Sequence, residues 1–347
     1  MATAPRATIS DVARSAGVSP AAVSKVLNNG YGVSPAMREK VTTAIAELGY
    51  RPSSAARSLR GRSHSLGVIA DVRSLSVVRV LDGIESTLDG SALDILIGPA
   101  GPSPEKQQRG VEAMLNRGVD GLILVAPGLS HDTLETIGAS VPMVLIGRHG
   151  AGRGFDTVVD DDAAGSALAV EHLVGLGHTR IAHISMPTAG LRRPSVLPQT
   201  ARADGYLAAM KQHGIEPDLV VTEYTEDGGY RGALLAIDRD RPATAIFAGT
   251  DTVALGVLRA AHERGLKVPG DLSVVGADNI AVGDLPQIAL TTIDPSGETN
   301  GATAARLLRE RIDGRTKPIT HSIAPSLIVR GTTGAPTAEG TDEQGTN

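Results

Sequence analysis

The 347-residue chain contains no cysteine and no tryptophan, and only two phenylalanines and five tyrosines. Without thiols there can be no disulfide framework, no cysteine nucleophile, no iron–sulfur cluster and no cysteine-type zinc site. So few rings also argue against aromatic cages and against stacking platforms for single-stranded nucleic acid, which need several ring faces in one place. No apolar run approaches the ~20 residues needed to span a bilayer. The stretch Met1–Asp11 has a single Arg followed by Ala, Thr and Ser rather than the apolar centre of a signal peptide, so a cytoplasmic protein is expected. Nucleotide and hydrolase signatures are missing too. There is no Gly-x-Gly-x-x-Gly after the first strand candidate, no Gly-x-x-x-x-Gly-Lys-Ser/Thr and no Gly-x-Ser-x-Gly. No catalytic residue, cofactor or metal is therefore expected.

What is present is apolar material for more than one core, since 41% of the residues are hydrophobic and the length corresponds to two or three domains. The net charge of −5 conceals a division. Residues 1–64 hold nine Lys and Arg against Asp11, Glu39 and Glu47, a balance of +6, which leaves −11 for the remainder. A small basic module joined to a large acidic body points to a polyanionic partner for the first part alone.

The basic head reads as three short helices. Thr8 and Asp11 have the spacing of a capping box, and Ile9, Val12, Ala13 and Ala16 recur at helical spacing until Gly17. Ser19-Pro20 restarts the chain with a hydroxyl cap and a proline at the first helical position, and Val23, Val26 and Leu27 form the buried stripe. Only Gly17 and Val18 separate the two helices, so they must cross steeply, as in a helix-turn-helix. Ser34-Pro35 caps a third helix whose Met37, Val41, Ile45 and Leu48 are expected to face the core before Gly49. From Arg51-Pro52 to Gly61 a short helix-capable segment follows, too short to be stable alone, and it reads as a linker that orders on contact.

The runs Ala7-Thr8-Ile9-Ser10-Asp11-Val12-Ala13, Ala16-Gly17-Val18-Ser19, Val23-Ser24-Lys25-Val26-Leu27-Asn28, Val33-Ser34, Leu48-Gly49-Tyr50-Arg51-Pro52 and Ala56-Arg57-Ser58-Leu59 resemble the LacI/GalR family of bacterial transcription regulators. The similarity continues in weaker form to about residue 334. The resemblance implies that the second helix enters the major groove and that a hinge helix forms only on the operator. Carried over by position, Ser19, Pro20, Ala21 and Lys25 are expected at the major groove. Thr8, Ser24, Asn28 and Tyr50 are expected at phosphates or as positioning groups. Ala56 and Leu59 are expected at the minor groove, with Leu59 as the wedge, and Arg57 beside them is expected to contact DNA. Pro20 and Ala21 carry no hydrogen-bonding side chain, unlike the polar residues of other family members, so their reading would be confined to apolar contact such as a thymine methyl.

The acidic body alternates short apolar runs with helical stretches. Strands are expected at 66–70, 94–97, 121–125, 143–146, 158–160, 181–185, 219–222, 245–248 and 273–276. Helices are expected at 77–88, 104–117, 161–175, 199–213, 228–238 and 251–263. Near-continuous apolar strands joined by amphipathic helices imply an α/β body with parallel sheets covered on both faces, and two such successions on either side of residue 160 imply two lobes with a cleft between them. By resemblance this is the periplasmic-binding-protein-like fold. The domain plan is then a helix-turn-helix head at 1–52, a hinge helix or linker at 53–64, an effector-binding and dimerisation body at 65–331 and a disordered tail at 332–347. The second lobe is expected to start near 161, with crossovers near 290–330.

Polar residues just after strands are the candidate effector contacts: Asp71, Ser76 on the loop after it, Arg148, Thr250, Asp251 and Asp278, with Arg202 at the start of the helix after 181–185. The resemblance implies that Arg202, Thr250 or Asp251, and Asp278 hydrogen-bond a sugar-like or nucleobase-type effector. Asp251 and Asp278 also read as simple helix caps. The loop after Asp71 lacks the ring usual in the family. Asp160-Asp161-Asp162 has the look of a metal cluster but reads better as helix capping, and His172, His178 and His183 read as surface or supporting groups rather than a metal triad.

The expected function is that of a transcription regulator, most often a repressor, acting at the nucleoid. As a homodimer, or a tetramer built from one, it would bind an inverted-repeat operator under the control of a small-molecule effector. A cytoplasmic ligand-binding protein or an enzyme of sugar or nucleotide metabolism is the competing reading, against which the basic head argues. Leu59→Ala is expected to weaken operator binding by at least about tenfold while leaving the dimer intact. A gel-shift titration checks this, and an unchanged affinity removes the wedge.

Overall fold

A computed structural model describes residues 7–27, 31–50, 63–101, 103–186 and 197–337. The chain divides into two compact units, Met1–Ser63 and His64–Asn347. In the first, α1 (Ile9–Ala16), α2 (Pro20–Leu27) and α3 (Pro35–Leu48) follow one another. The Thr8 hydroxyl accepts from the Asp11 N–H at 3.3 Å while an Asp11 carboxylate oxygen accepts from the Thr8 N–H at 2.9 Å, so the capping box closes from both sides. Gly17 ends α1 with a φ of 66°, a left-handed turn that glycine adopts without strain. Ser19 and Ser34 cap the next two helices. Small side chains make the core: Val12, Ala13, Val23, Val26, Val41 and Ala44, with Tyr50. Leu48, expected to face this core, is exposed instead; Ala44 takes the inward position a turn earlier.

In the second unit, β1 (Ser65–Ala70), β2 (Asp94–Pro99), β3 (Gly121–Val125), β4 (Met143–Ile146), β5 (Asp156–Asp160) and β11 (Thr320–Ile323) form a sheet in the order β11-β5-β4-β3-β1-β2, every pair parallel. Side chains alternate across it. Leu122, Leu124, Met143 and Leu145 face α5 (Pro104–Asn116) and α6 (His131–Ser140). Leu66, Val68, Ile123, Val144 and Val158 face α4 (Ser76–Leu88) and α11 (Gly297–Ile312).

The second sheet has the order β12-β10-β9-β8-β6-β7, built from β6 (Ile181–Ser185), β7 (Asp218–Val221), β8 (Ala245–Ala248), β9 (Ser273–Ala277), β10 (Thr291–Asp294) and β12 (Ser326–Ile328). Only β12 runs antiparallel to its neighbour. One face packs on α7 (Asp162–Gly175) and α8 (Pro198–Gln212), the other on α9 (Glu226–Ile237) and α10 (Asp251–Glu263).

The chain passes between the lobes three times: at Asp160–Asp162, between Asp294 and Gly297, and between Ile323 and Ser326. The last two passes, with β10, β11, β12 and α11, had no element assigned from sequence, and neither had α6. Thr291 and Thr292 of β10 are fully buried, which an apolar-run criterion cannot find; their hydroxyls are hydrogen-bonded instead to Thr333 and Asp251.

The start of the expected disordered tail is ordered. Val274 N–H donates to the Thr332 carbonyl at 2.8 Å, the Thr332 hydroxyl donates to the Val274 carbonyl at 2.7 Å, and Gly334 N–H donates to the Ser273 hydroxyl at 3.0 Å. Thr337 still bonds Gly270, and residues 338–347 lie outside the described residues. One backbone pair and the hydroxyls of Thr332, Ser273 and Thr337 hold this polar stretch to the second sheet and the loop before β9.

The α4 and α11 helices touch through glycine. A Cβ on Gly301 would overlap the Val80 carbonyl, and one on Gly83 the Glu298 carbonyl. Gly301→Ala is therefore expected to destabilise the body by about 1–3 kcal/mol. Urea unfolding measures this, and an unchanged midpoint contradicts the close approach.

Candidate functional site

The head and the body each present a site. In the head, the core face of α2 carries Val23 and Val26, so Pro20, Ala21 and Lys25 emerge on the exposed side, one turn apart. Lys25 is the only cation of that helix. Thr8, placed at the DNA by position, has its hydroxyl engaged with Asp11, and Ser19 accepts from Ala22 N–H at 3.2 Å, so both act first as caps. Tyr50, expected at a phosphate or as a positioning group, is buried in the head core, where its ring fills space that Val and Ala leave. Asn28, Ala56, Arg57 and Leu59 lie outside the described residues.

In the body the strand ends meet where the chain changes lobes. Arg202, near the start of α8, is held in three directions. Its Nε donates to an Asp162 carboxylate oxygen at 2.8 Å, Nη1 donates to the Gly249 carbonyl at 2.7 Å, and Nη2 reaches Asp278 at 3.5 Å. The other oxygen of Asp162 bonds His149 Nε2 at 2.8 Å, from the loop after β4. Asp161 caps α7 by accepting from Ala164 N–H at 3.0 Å. The triple-Asp run is thus part cap and part charge partner, and among the described residues no group of three metal-type side chains gathers.

Asp160, Asp162, Arg202, Phe247 and Asp278 line one cavity, closed at the crossovers by Pro295 and Pro325. Its interior of about 10 Å³ holds the centre of little more than one water. A larger hollow of about 540 Å³ lies elsewhere, between Thr87 of α4 and Arg306 and Arg309 of α11, but none of the strand-end groups line it.

The electrostatics follow from three carboxylates sharing one guanidinium. Burial pushes Asp160 up to about 7 and Asp278 up to about 8, each further raised by neighbouring carboxylates and eased by Arg202. The Asp162 hydrogen bond raises His149. Asp278 also sits at φ 118° and Asn279 at φ 50°, two consecutive residues in the left-handed region. Such strain persists only where surroundings hold it. Here the holder is Asp251: one oxygen accepts from Ile280 N–H at 2.8 Å, the other from the Thr292 hydroxyl at 2.5 Å. Asp251 is fully buried, so the structure places it behind the loop rather than at a ligand. Thr250 caps α10 by accepting from Val253 N–H.

The remaining expected contacts come from the first lobe. Asp71 forms a two-point pair with Arg73, and Ser76 bonds Ser74. Arg148 is buried, with Nη1 donating to the Pro127 carbonyl. Only Arg202 and Asp278 of the expected set share the cavity. Sequence reasoning missed Asp160, Asp162, His149 and Phe247 as lining or bridging groups, and Arg79, whose Nη1 reaches across from α4 to the Asn279 carbonyl at 3.2 Å. The triple-Asp run was the available signal. His183, expected at the surface or as a supporting group, is fully buried against Phe247 and Tyr206, where burial pushes it down to about 4.

Residues 8–53 match the family model described as bacterial regulatory proteins, lacI family, and residues 170–333 match that of the periplasmic binding protein-like domain. Catabolite control protein A of Priestia megaterium is 32% identical over 91% of this chain and 97% of its own length. The HTH-type transcriptional repressor PurR of Erwinia tasmaniensis is 34% identical over 93% and 96%. The chain belongs to the lacI family of bacterial regulatory proteins. Within that family, the lac repressor dimer bound to operator and the anti-inducer ONPF superposes with a TM-score of 0.79 at 28% identity, covering 95% of this chain and all of that one. The transcriptional regulator CelR in complex with cellobiose gives 0.69 at 29% identity over 94% of this chain and all of that one. Membership accounts for both sites, a lacI-type head and a two-lobed body. Among the described residues no helix is long and apolar enough to cross a membrane.

Asp160 and Asp278 have folded values above those of an unfolded chain, so the folded state binds more protons, and its stability falls as pH rises from about 4 through 7–8. Asp278→Asn should flatten this fall by about 1 kcal/mol or more between pH 5.5 and 8.5, since each pKa unit is worth about 1.4 kcal/mol. Urea titrations at the two pH values decide it; an unaltered slope contradicts the assignment.

Proposed function

We propose that this lacI-family chain is a transcription regulator, a repressor like the relatives named above, that binds an inverted-repeat operator as a dimer and answers to a small molecule held between its lobes. The observation that carries the reading is the pairing of the two sites in one chain. An exposed α2 face with a lone Lys25 stands opposite a tight core, and a two-lobed body gathers Arg202, Asp160 and Asp278 at its crossovers. The α2 face reads bases by apolar contact from Pro20 and Ala21 and by charge from Lys25. The hinge at 53–64, with Leu59 as its wedge, orders in the minor groove when two copies lie side by side.

The cleft chemistry suits a polyhydroxylated ligand. Asp160 and Asp278 accept hydrogen bonds from hydroxyls, Arg202 donates, and Phe247 offers one apolar face. With space for about one water in the closed arrangement, a ligand enters only as the lobes part, so occupancy is tied to lobe orientation. Lobe orientation then sets whether two hinges meet, which makes ligand and operator coupled binding partners. A regulatory role, without catalysis, follows the family.

Asp278→Ala is expected to keep operator affinity within about threefold of wild type and to lose the response to the effector. Fluorescence anisotropy with a selected inverted repeat, after a thermal-shift screen for the effector, measures both. A variant that still responds fully contradicts the pocket assignment.

A further inference from the structure

The cleft end of the first lobe holds a cation without a counter-ion. Arg148 leaves the end of β4 where the lobes meet: a Cβ on the preceding Gly147 would lie 3.5 Å from Pro198 at the start of α8. Only 8% of Arg148 is exposed. Its Nη1 donates to a neutral partner, the Pro127 carbonyl, at 2.7 Å. Among the described residues no carboxylate stands within ion-pair distance, and the stretch 187–196 contains no acidic residue.

The other largely buried arginines of the body are different. Arg202 has Asp162 and Asp278, Arg311 and Arg315 share Asp156, and Arg330 has Asp284. Burying a guanidinium without an acid is unfavourable, and burial indeed lowers the Arg148 proton affinity with nothing opposing it. A guanidinium has five N–H donors in a planar fork. One points to Pro127, which leaves an edge matched to two oxygens of a carboxylate or phosphate. Arg148 does not line the Asp160–Asp278 cavity, and the ion pairs of Asp162 and Asp278 go to His149 and Arg202 instead.

We propose that the effector carries an anionic group, a carboxylate or a phosphate ester, that pairs with Arg148, while its hydroxyl-bearing part faces Asp160 and Asp278. This rests on the cleft being the effector site, and it narrows the ligand class from sugars in general to sugar acids and sugar phosphates. The two ends of the ligand then meet opposite chemistry, acceptors at one and a donor fork at the other.

The test melts the full-length protein and R148Q in chloride, inorganic phosphate or malonate at matched ionic strength, then with glucose, gluconate or glucose 6-phosphate. Phosphate or malonate is expected to raise the wild-type Tm by about 2–4 °C over chloride at roughly ten times its Kd, and to leave R148Q unmoved. A shift with phosphate alone assigns a phosphate ester, one with malonate alone a carboxylate. R148K keeps the charge and should retain part of the shift, which serves if R148Q does not fold. No anion shift in the wild type, or equal shifts in wild type and R148Q, overturns the proposal. Equal shifts with glucose in both proteins would discard the anion yet leave the cleft as the effector site. An Arg148-dependent shift by a ligand that leaves operator affinity unchanged would fault the effector reading itself.

Discussion

The guanidinium of Arg202 is the tie on which the body's architecture turns. It reaches Asp162 at the first crossover, the Gly249 carbonyl at the end of β8 and Asp278 at the end of β9. Three separate segments are thereby brought to one buried point. An ion pair so placed must recover the cost of taking both charges from water, and it does so only with good geometry and further hydrogen bonds. Both conditions are met on the Asp162 side, whose second oxygen bonds His149 from the other lobe. Burial first, and then the surplus of carboxylates over this one cation, drives Asp160 and Asp278 toward protonation.

Around that point the lobes are built alike, each a mostly parallel sheet with helices on both faces, and they are joined by three short crossovers. The chain's return through α11 makes the first lobe depend on residues far along the sequence, since α11 packs on α4 through Gly83 and Gly301. Contacts that change if the lobes reorient include His149–Asp162 and Arg79–Asn279. A ligand with different affinity for two such orientations shifts their populations, and only by that difference.

Much of this was legible in the residues. Strands 121–125, 143–146, 181–185 and 245–248 coincide with their apolar runs because a strand buried on both faces is mostly apolar, His183 and Ser185 being the buried polar members of 181–185. The Thr8–Asp11 box and Gly17 were equally direct, since a cap is a local matter. What stayed hidden depends on distant partners. Thr291 and Thr292 look like loop residues until Asp251 and Thr333 satisfy them. Asp251 has the chemistry of a ligand contact, and only its neighbours reveal that it holds the strained Asp278 loop. Tyr50 is polar enough for a phosphate, yet a core of valine and alanine takes its ring. The triple-Asp run lines the cavity as a whole yet divides its roles: Asp161 caps α7, while Asp162 pairs with Arg202 and His149.

The central claim is that the cleft and the DNA-binding head are two ends of one equilibrium. Measuring operator affinity with and without saturating effector, and effector affinity with and without operator, tests it most directly. The account predicts that the two ratios are equal and differ from one, with a coupling of about 1–3 kcal/mol. A ratio of one in both directions would contradict it.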